Sequence, residues 1–104
     1  MQVQIRTDNH IEGHERMNAY YTTVFEDALK RFEDKITRIE VHLGDENSDK
    51  TGGDDKRCSV EVRLAGRQPV AAVNHSDTID KAVNGAIDKL KRVLGGIFDK
   101  MKQH

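Results

Sequence analysis

Four cations recur along the last quarter of the sequence at intervals that place them on one side of a helix. On a helical projection at about 100° per residue they lie together, beside a stripe of apolar residues. They are Lys81, Lys89, Arg92 and Lys100. Side chains of this type in a row can contact phosphate groups of a nucleic acid. The alternative is a solvated helix side on which Asp88 and Asp99 form ion pairs with the same cations.

The helix that carries these cations is predicted over residues 76–104. Its apolar stripe repeats at steps of three and four residues, the spacing of one helix face. The stripe comprises Ile79, Val83, Ala86, Leu90, Val93, Ile97 and Met101. Ser76 and Asp77 are the candidate N-caps, and Asp80 places a carboxylate in the first turn, where the helix dipole favours it.

Glycines interrupt this helix on the side that bears the cations. Gly85 and Gly96 project onto the same side as the cations. Each glycine costs a helix about 0.5–1 kcal/mol relative to alanine, so its presence suggests a reason. One reason is that a missing side chain permits the close approach of a backbone or a phosphate. The alternative for the pair Gly95 and Gly96 is a weak point near the helix end.

A second group of cations follows a second amphipathic segment. Residues 12–33 repeat apolar side chains at helical spacing, and cations at the end of a helix complement its dipole. This group consists of Lys30, Arg31 and Lys35.

Other kinds of chemistry have little support. His10, His14 and Glu15 lack the spacing and the second ligand cluster of a metal site, and glycine and asparagine beside them indicate a turn. Cys58 alternates with apolar residues, which indicates a buried thiol rather than a nucleophile. No phosphate-binding loop or serine-nucleophile motif is present. We therefore expect no catalytic residue, no metal and no cofactor.

Four segments that alternate apolar with polar residues predict the strands that support these helices. The segments are residues 3–7, 37–43, 57–64 and 70–74, and a polar loop is predicted over 44–55. The element order is β-α-β-β-β-α. Two amphipathic helices need a common apolar surface, so this order predicts an α+β two-layer sandwich with a four-stranded sheet and both helices on one face. The first and second strands would be parallel if they are adjacent.

Composition limits the class of protein. The 104 residues predict a single domain spanning 1–104. The net charge is −1, but residues 45–55 hold five acidic side chains and one lysine, and the remaining 16 cationic and 13 acidic side chains give +3. No apolar run is long enough to span a membrane, and no secretion signal is visible at the N-terminus. We expect a cytoplasmic protein.

Several stretches resemble one known family, the ribosome hibernation promoting factor and ribosome-associated inhibitor proteins, also called sigma-54 modulation or ribosomal subunit interface proteins. The resemblance covers nearly the whole chain and is to the short, single-domain form of these proteins. It rests on residues 39–43 (IEVHL), 58–64 (CSVEVRL), 69–72 (PVAA), 77–83 (DTIDKAV) and 86–94 (AIDKLKRVL).

The resemblance implies a fold similar to double-stranded RNA-binding domains, together with a function. Proteins of this family bind the small ribosomal subunit in the groove used by mRNA and tRNA and silence translation in starved or cold cells. By position, Lys89 and Arg92 match the family's RNA-contacting residues, followed by Lys81. Lys30, Arg31 and Lys35 match the basic end of its first helix, and Lys100 joins them as a candidate because it lies on the same helix side as the first group.

Two interpretations of the function therefore stand at the level of the sequence. The first is a non-catalytic, monomeric factor whose partner is ribosomal RNA of the small subunit, with no small-molecule substrate and no membrane. The second is a protein-interaction or regulatory domain that keeps the fold but has lost ribosome binding, which the near-neutral charge favours. Arg57, Arg63 and Arg67 are a possible extension of the RNA surface, but Glu61 lies among them, and a solvated sheet face is the preferred interpretation.

Overall fold

The computed structural model describes residues 1–8, 14–45 and 56–102, with the side chains of residues 14 and 100–102 excepted. The elements are β1 (Gln2–Thr7), α1 (His14–Ala28), a 3₁₀ segment (Lys30–Phe32), β2 (Ile36–Asp45), β3 (Lys56–Leu64), β4 (Val70–Ser76) and α2 (Ile79–Lys102). This is the predicted order, β-α-β-β-β-α. None of the described helices is both long and apolar enough to cross a membrane.

The sheet follows the order of the chain, β1-β2-β3-β4. β1 and β2 pair in parallel, and β2, β3 and β4 pair as antiparallel neighbours. Alternate residues of β2 and β3 point into one core that also contains residues of both helices, which confirms the two-layer α+β sandwich. We call the helix-covered side of the sheet its inner face and the other side its outer face.

The predicted strand alternation holds except at the start of β2. Ile39, Val41 and Leu43 are buried as predicted, whereas Thr37 is exposed and Ile36 is buried in its place. The register between β2 and β3 shifts between Ile36 and Arg38, so one residue is added to β2 at this point. Such a bulge reverses the inside and outside positions on either side of it, which the alternation of residue types does not reveal.

The predicted loop over 44–55 begins two residues later than expected. Gly44 and Asp45 extend β2 and pair with Arg57 and Lys56 of β3. The Asp45 carboxylate forms an ion pair with Lys56 at 3.3 Å. Residues 46–55, which carry the other acidic side chains of this stretch, lie outside the described residues.

The first helix is shorter than predicted. α1 ends at Ala28 rather than near residue 33, and the 3₁₀ segment follows it. Leu29 and Phe32 are both buried, three residues apart. A 3₁₀ turn places side chains three residues apart on the same side, so the tighter turn directs both of them into the core.

The N-cap of α2 is Thr78, not Ser76 or Asp77 as the sequence indicated. The Thr78 hydroxyl accepts a hydrogen bond from the Lys81 backbone N–H at 3.1 Å, which satisfies one of the free donors of the first turn. Ser76 is the last residue of β4, so the chain is still extended there. The cap therefore lies closer to the helix than the sequence indicated.

The apolar stripe of α2 also turns as it proceeds. Ala82, Val83, Ala86, Ile87 and Leu90 are buried, but Val93 is 45% exposed, and Leu94 and Phe98 continue the core. The Phe98 ring lies 5.6 Å from the Phe32 ring, so the second half of α2 buries the side that faces the 3₁₀ segment. Met101, the last predicted stripe residue, lies beyond the described side chains.

A polar contact fixes how closely α2 lies against β4. The Asn74 side-chain amide donates hydrogen bonds to the backbone carbonyls of Lys81 and Ala82, at 3.5 Å and 3.2 Å. A Cβ atom on Gly85 would overlap that amide group. Gly85 is therefore explained by close approach, but of a side chain of the same protein. Among the described residues, no atom of another part of the chain comes within 4 Å of where a Cβ on Gly95 or Gly96 would stand.

This contact predicts opposite effects for two glycine substitutions in the same helix. Gly85→Ala should lower the free energy of unfolding by about 1–3 kcal/mol, because Asn74 must give up its hydrogen bonds or α2 must move away. Gly95→Ala, the matched control, should raise it by about 0.5–1 kcal/mol, because alanine fits there and favours the helix. Urea unfolding measures both changes, and equal effects of the two substitutions would contradict the role of Asn74.

Candidate nucleic-acid interface

The side of α2 that carries three of its predicted cations faces the free edge of β4. Lys89 shows this directly, because its Nζ donates a hydrogen bond to the Val73 carbonyl of β4 at 2.7 Å. Lys81, Gly85 and Arg92 project onto the same side at helical spacing. We call the side formed by Lys81, Gly85, Lys89 and Arg92 the edge flank.

The cations of the edge flank differ in what they contact. Lys81 lies 3.4 Å from the carboxylate of Asp77, and Lys89 is held by the Val73 carbonyl. Arg92 is exposed and has no ion pair within the described part of the chain. All three side chains are solvent-exposed, so these contacts are exchangeable. The Lys100 side chain lies outside the described residues.

Asp77 is the one acidic side chain seen to contact the edge flank among the described residues. A hydrogen bond and the charge of Lys81 lower the pKa of the Asp77 carboxyl. The carboxylate therefore stays ionised and reduces the local positive potential at the start of α2. The solvated-flank alternative named Asp88 and Asp99 as partners, whereas the ion pair seen among the described side chains is with Asp77.

The second group of predicted cations lies apart from the first. Lys30 and Arg31 belong to the 3₁₀ segment, and Lys35 lies in the turn before β2. The Arg31 guanidinium stands 4.5 Å from the centre of the Phe32 ring, a cation–π distance, and Phe32 in turn contacts Phe98 of α2. All three cations are exposed. Through Phe32, Arg31 lies near the side of α2 that bears Phe98.

One hydrogen bond joins the two helices on that side. The Tyr21 hydroxyl of α1 donates to the Asp80 carboxylate of α2 at 3.2 Å, and Asn84 donates to the other Asp80 oxygen at 3.3 Å. Burial, followed by the charge of Asp80, raises the pKa of Tyr21 to about 12. The link helps to fix the relative positions of the two helices and, with them, of the two cation groups.

The apolar repeat over residues 12–33 includes Tyr21, which is buried as that repeat predicts. The sequence did not pair Tyr21 with Asp80, because partners 59 positions apart leave no local pattern. It also missed Tyr20, which is 58% exposed on α1. Neighbouring helix residues point about 100° apart, so the presence of two adjacent tyrosines was a signal that one of them faces solvent.

The outer face of the sheet neutralises most of its own charge. Glu40 and Glu61 stand directly opposite each other on β2 and β3, an unfavourable pair on its own. Arg38 lies 3.3 Å from Glu40, and Arg63 lies 3.7 Å from Glu40 and 3.1 Å from Glu61. Arg38 also donates to the Gln4 side chain of β1. These contacts favour the interpretation of a solvated sheet face over an extension of an RNA surface.

The other candidate chemistries can be located only in part. No cluster of metal-binding side chains occurs among the described residues, and His10 and the side chain of His14 lie outside them. Cys58 is buried in the core, and burial raises the pKa of its thiol to about 12. A thiol of this kind stays protonated near neutral pH and is a poor nucleophile.

Comparison with known proteins gives the family. The family model described as "Sigma 54 modulation protein / S30EA ribosomal protein" matches residues 3–102. The chain belongs to the sigma 54 modulation protein / S30EA ribosomal protein family. This confirms the resemblance seen in the sequence, and the matched range of the S30EA family includes both cation groups. No curated protein sequence matches the chain significantly.

Two solved structures show that the S30EA fold is shared. One is described as a ribosomal subunit interface protein from Coxiella burnetii. It is 20% identical, with a TM-score of 0.69 over 95% of this chain and 99% of the other. The second is the Protein Y N-terminal domain of Thermus thermophilus. It is 18% identical, with a TM-score of 0.72 over 93% of this chain and 99% of the other. At these identities the likeness establishes the fold.

The buried position of Cys58 in this S30EA-family chain predicts an inert thiol and a loss of stability in alkali. Because its pKa is about 12 in the folded state against an ordinary 9.0, the unfolded chain loses the thiol proton first as pH rises. The free energy of unfolding should therefore fall between about pH 9 and pH 12, by up to about 1.4 kcal/mol per pH unit from this group.

Thiol titration with a disulfide reagent and urea unfolding as a function of pH measure these two effects. The folded protein should not react at about pH 8, while the urea-unfolded protein should. Cys58→Ala should make the alkaline slope shallower, and Tyr21→Phe serves as a second variant because the raised pKa of Tyr21 acts in an overlapping pH range. Rapid labelling of the folded protein would contradict the burial of the thiol.

Proposed function

We propose that this protein binds the small ribosomal subunit in the groove that mRNA and tRNA occupy, and that it thereby inhibits translation in stressed cells. The observation that carries the proposal is the match to the S30EA ribosomal protein family over residues 3–102. The protein acts by occupying space and forms no covalent bond. Its place of action is the cytoplasm, and its direct partner is ribosomal RNA.

The edge flank of α2 is the principal contact in this proposal. Lys89 and Arg92 are three residues apart and lie on neighbouring turns of the helix, so two phosphates of one strand can be met at once. Lys81 and Lys100 extend the row over about 28 Å at the helical rise of about 1.5 Å per residue. Each contact releases bound counterions from the RNA, so affinity should fall steeply with salt.

The cations near the 3₁₀ segment supply a second contact. Lys30, Arg31 and Lys35 are exposed, and Arg31 lies over the ring of Phe32, which contacts Phe98 of α2. Because the Arg31 guanidinium lies over an aromatic ring, less side-chain freedom is lost when it binds a phosphate. Two separate groups of cations suit a cleft whose RNA walls stand on both sides of the protein.

The second candidate function is a protein-interaction or regulatory domain of the same fold without ribosome binding. The contacts of Lys81 with Asp77 and of Lys89 with Val73 favour it, since both cations are already engaged. The net charge of −1 favours it as well. The two candidates differ in whether the charge of the edge flank matters for ribosome binding.

Adjacent charge reversals in α2 separate the two candidates. Arg92→Glu should weaken co-sedimentation with small subunits and reduce the slope of log affinity against log salt by about 0.7–0.9. Lys91→Glu is the matched control, because it changes the same charge one residue away, on a different side of the helix. The double variant Lys89→Glu/Arg92→Glu should lower the affinity at low salt by about 10- to 100-fold.

Small subunits that do not bind the protein even at low salt would reject the proposal in favour of the second candidate. Equal losses for Arg92→Glu and Lys91→Glu would show that ribosome binding does not use the edge flank. Circular dichroism of each variant verifies that the fold is retained.

Removing the carboxylate at the start of α2 should have the opposite effect. Asp77→Asn frees Lys81 and removes a negative charge beside the edge flank, and because the pair is exposed the effect should be small. Ribosome affinity at low salt should therefore rise by about 1.5- to 5-fold, with a smaller gain at high salt. Asp27→Asn on α1 is the charge-matched control, and an unchanged affinity for Asp77→Asn would show that Lys81 makes no phosphate contact.

A further inference from the structure

We propose that Lys89 closes the free edge of the sheet and thereby prevents this chain from pairing, strand to strand, with a second copy of itself. The inference does not rest on the proposed function. It starts from the position of β4, which is the last strand in the order β1-β2-β3-β4 and has a neighbour on one side only.

The Val73 carbonyl identifies which backbone groups of β4 point away from β3. It accepts the hydrogen bond of Lys89 at 2.7 Å and is therefore directed outward. A strand residue turns its N–H and its C=O to the same side, and the direction alternates along the strand. Ala71 and Val73 therefore present their backbone groups to the free edge, while Ala72 and Asn74 pair with β3.

This edge has few of the features that usually prevent association. Ala71 is exposed, Val73 is 46% exposed, and neither side chain is charged. Pro69 precedes β4 and therefore removes no donor from it. An exposed strand edge with small apolar side chains is a template for another strand, and edge lysines are a common means of blocking it.

A second copy of β4 is the strand that fits this edge best. Antiparallel pairing about a two-fold axis at Val73 would set the two Val73 residues opposite each other, Ala72 opposite Asn74 and Ala71 opposite His75. No two like-charged side chains would face each other across these pairs. The same axis would bring the Lys89 ammonium groups of both copies together. Lys89 thus opposes the pairing in two ways, by occupying the Val73 carbonyl and by repulsion between the copies.

The position of Lys89 is set by the contact described above between Asn74 and Gly85. Lys89 follows Gly85 by four residues, about one turn, and Val73 precedes Asn74 by one residue. The close approach that Gly85 permits therefore brings the ammonium group within reach of the edge carbonyl. Arg92, about one turn further on, makes no hydrogen bond to β4 in the described part of the chain and serves as a control.

Lys89→Met tests the inference, because methionine keeps an unbranched apolar stem and removes the ammonium group. Light scattering after gel filtration, over a series of protein concentrations, should show the molar mass rising from 11.8 kDa towards twice that value. The unchanged protein, Lys89→Arg and Arg92→Met should all remain at 11.8 kDa.

A second substitution tests whether β4 is the surface that pairs. Lys89→Met/Val73→Pro should be monomeric again, because proline at residue 73 removes an outward N–H and leaves the hydrogen bonds to β3 intact. Circular dichroism checks that the double variant is folded, and Lys89→Met/Ala71→Pro replaces it if it is not.

A monomeric Lys89→Met at every concentration overturns the inference, as does a dimer that persists with proline in β4. The proposed function is judged separately. If Lys89→Met stays monomeric but loses ribosome binding, the edge-closing role is wrong and the ribosomal role is supported. If Lys89→Met dimerises and Arg92→Glu binds ribosomes normally, the edge-closing role is supported and the ribosomal role of the edge flank is wrong.

Discussion

The approach of α2 to β4 is the constraint on which the arrangement of this protein's charges depends. Asn74 binds two helix carbonyls, and Gly85 leaves the space in which it does so. This places the edge flank at the rim of the sheet instead of above its middle. If α2 lay further from β4, the same cations would face solvent. The sheet would then no longer fix their positions. A single missing methyl group thus sets the geometry of a charged surface.

Much of the fold follows from local patterns in the sequence. Apolar residues alternate in β2 and β3 and recur at three- and four-residue steps in α2, because each of these elements faces one core. For such elements the pattern is sufficient to predict a strand or a helix. Helices and strands were therefore assigned to the right segments and in the right order. The resemblance to the family rests on the same order of elements and on short stretches such as residues 77–83 and 86–94.

The errors arise where one element adjusts to another. Thr37 faces solvent because the register against β3 shifts, and Val93 is exposed because α2 turns towards Phe32. The exchange of Asp77 for Thr78 as the cap depends on where β4 ends. For the candidate interface, the sequence predicted which cations share a helix side. It did not predict that two of them are engaged by Asp77 and Val73, since those partners come from the segment before the helix.

The paired glutamates on the outer face have a consequence for the whole molecule. Glu40 and Glu61 stay side by side only while Arg38 and Arg63 remain beside them. If those arginines bound an external anion instead, two carboxylates would be left facing each other. These four side chains thus neutralise one another on the outer face, while the helical side retains cations with exchangeable partners. The two sides of the molecule therefore differ in charge, a difference that the net charge of −1 does not reveal.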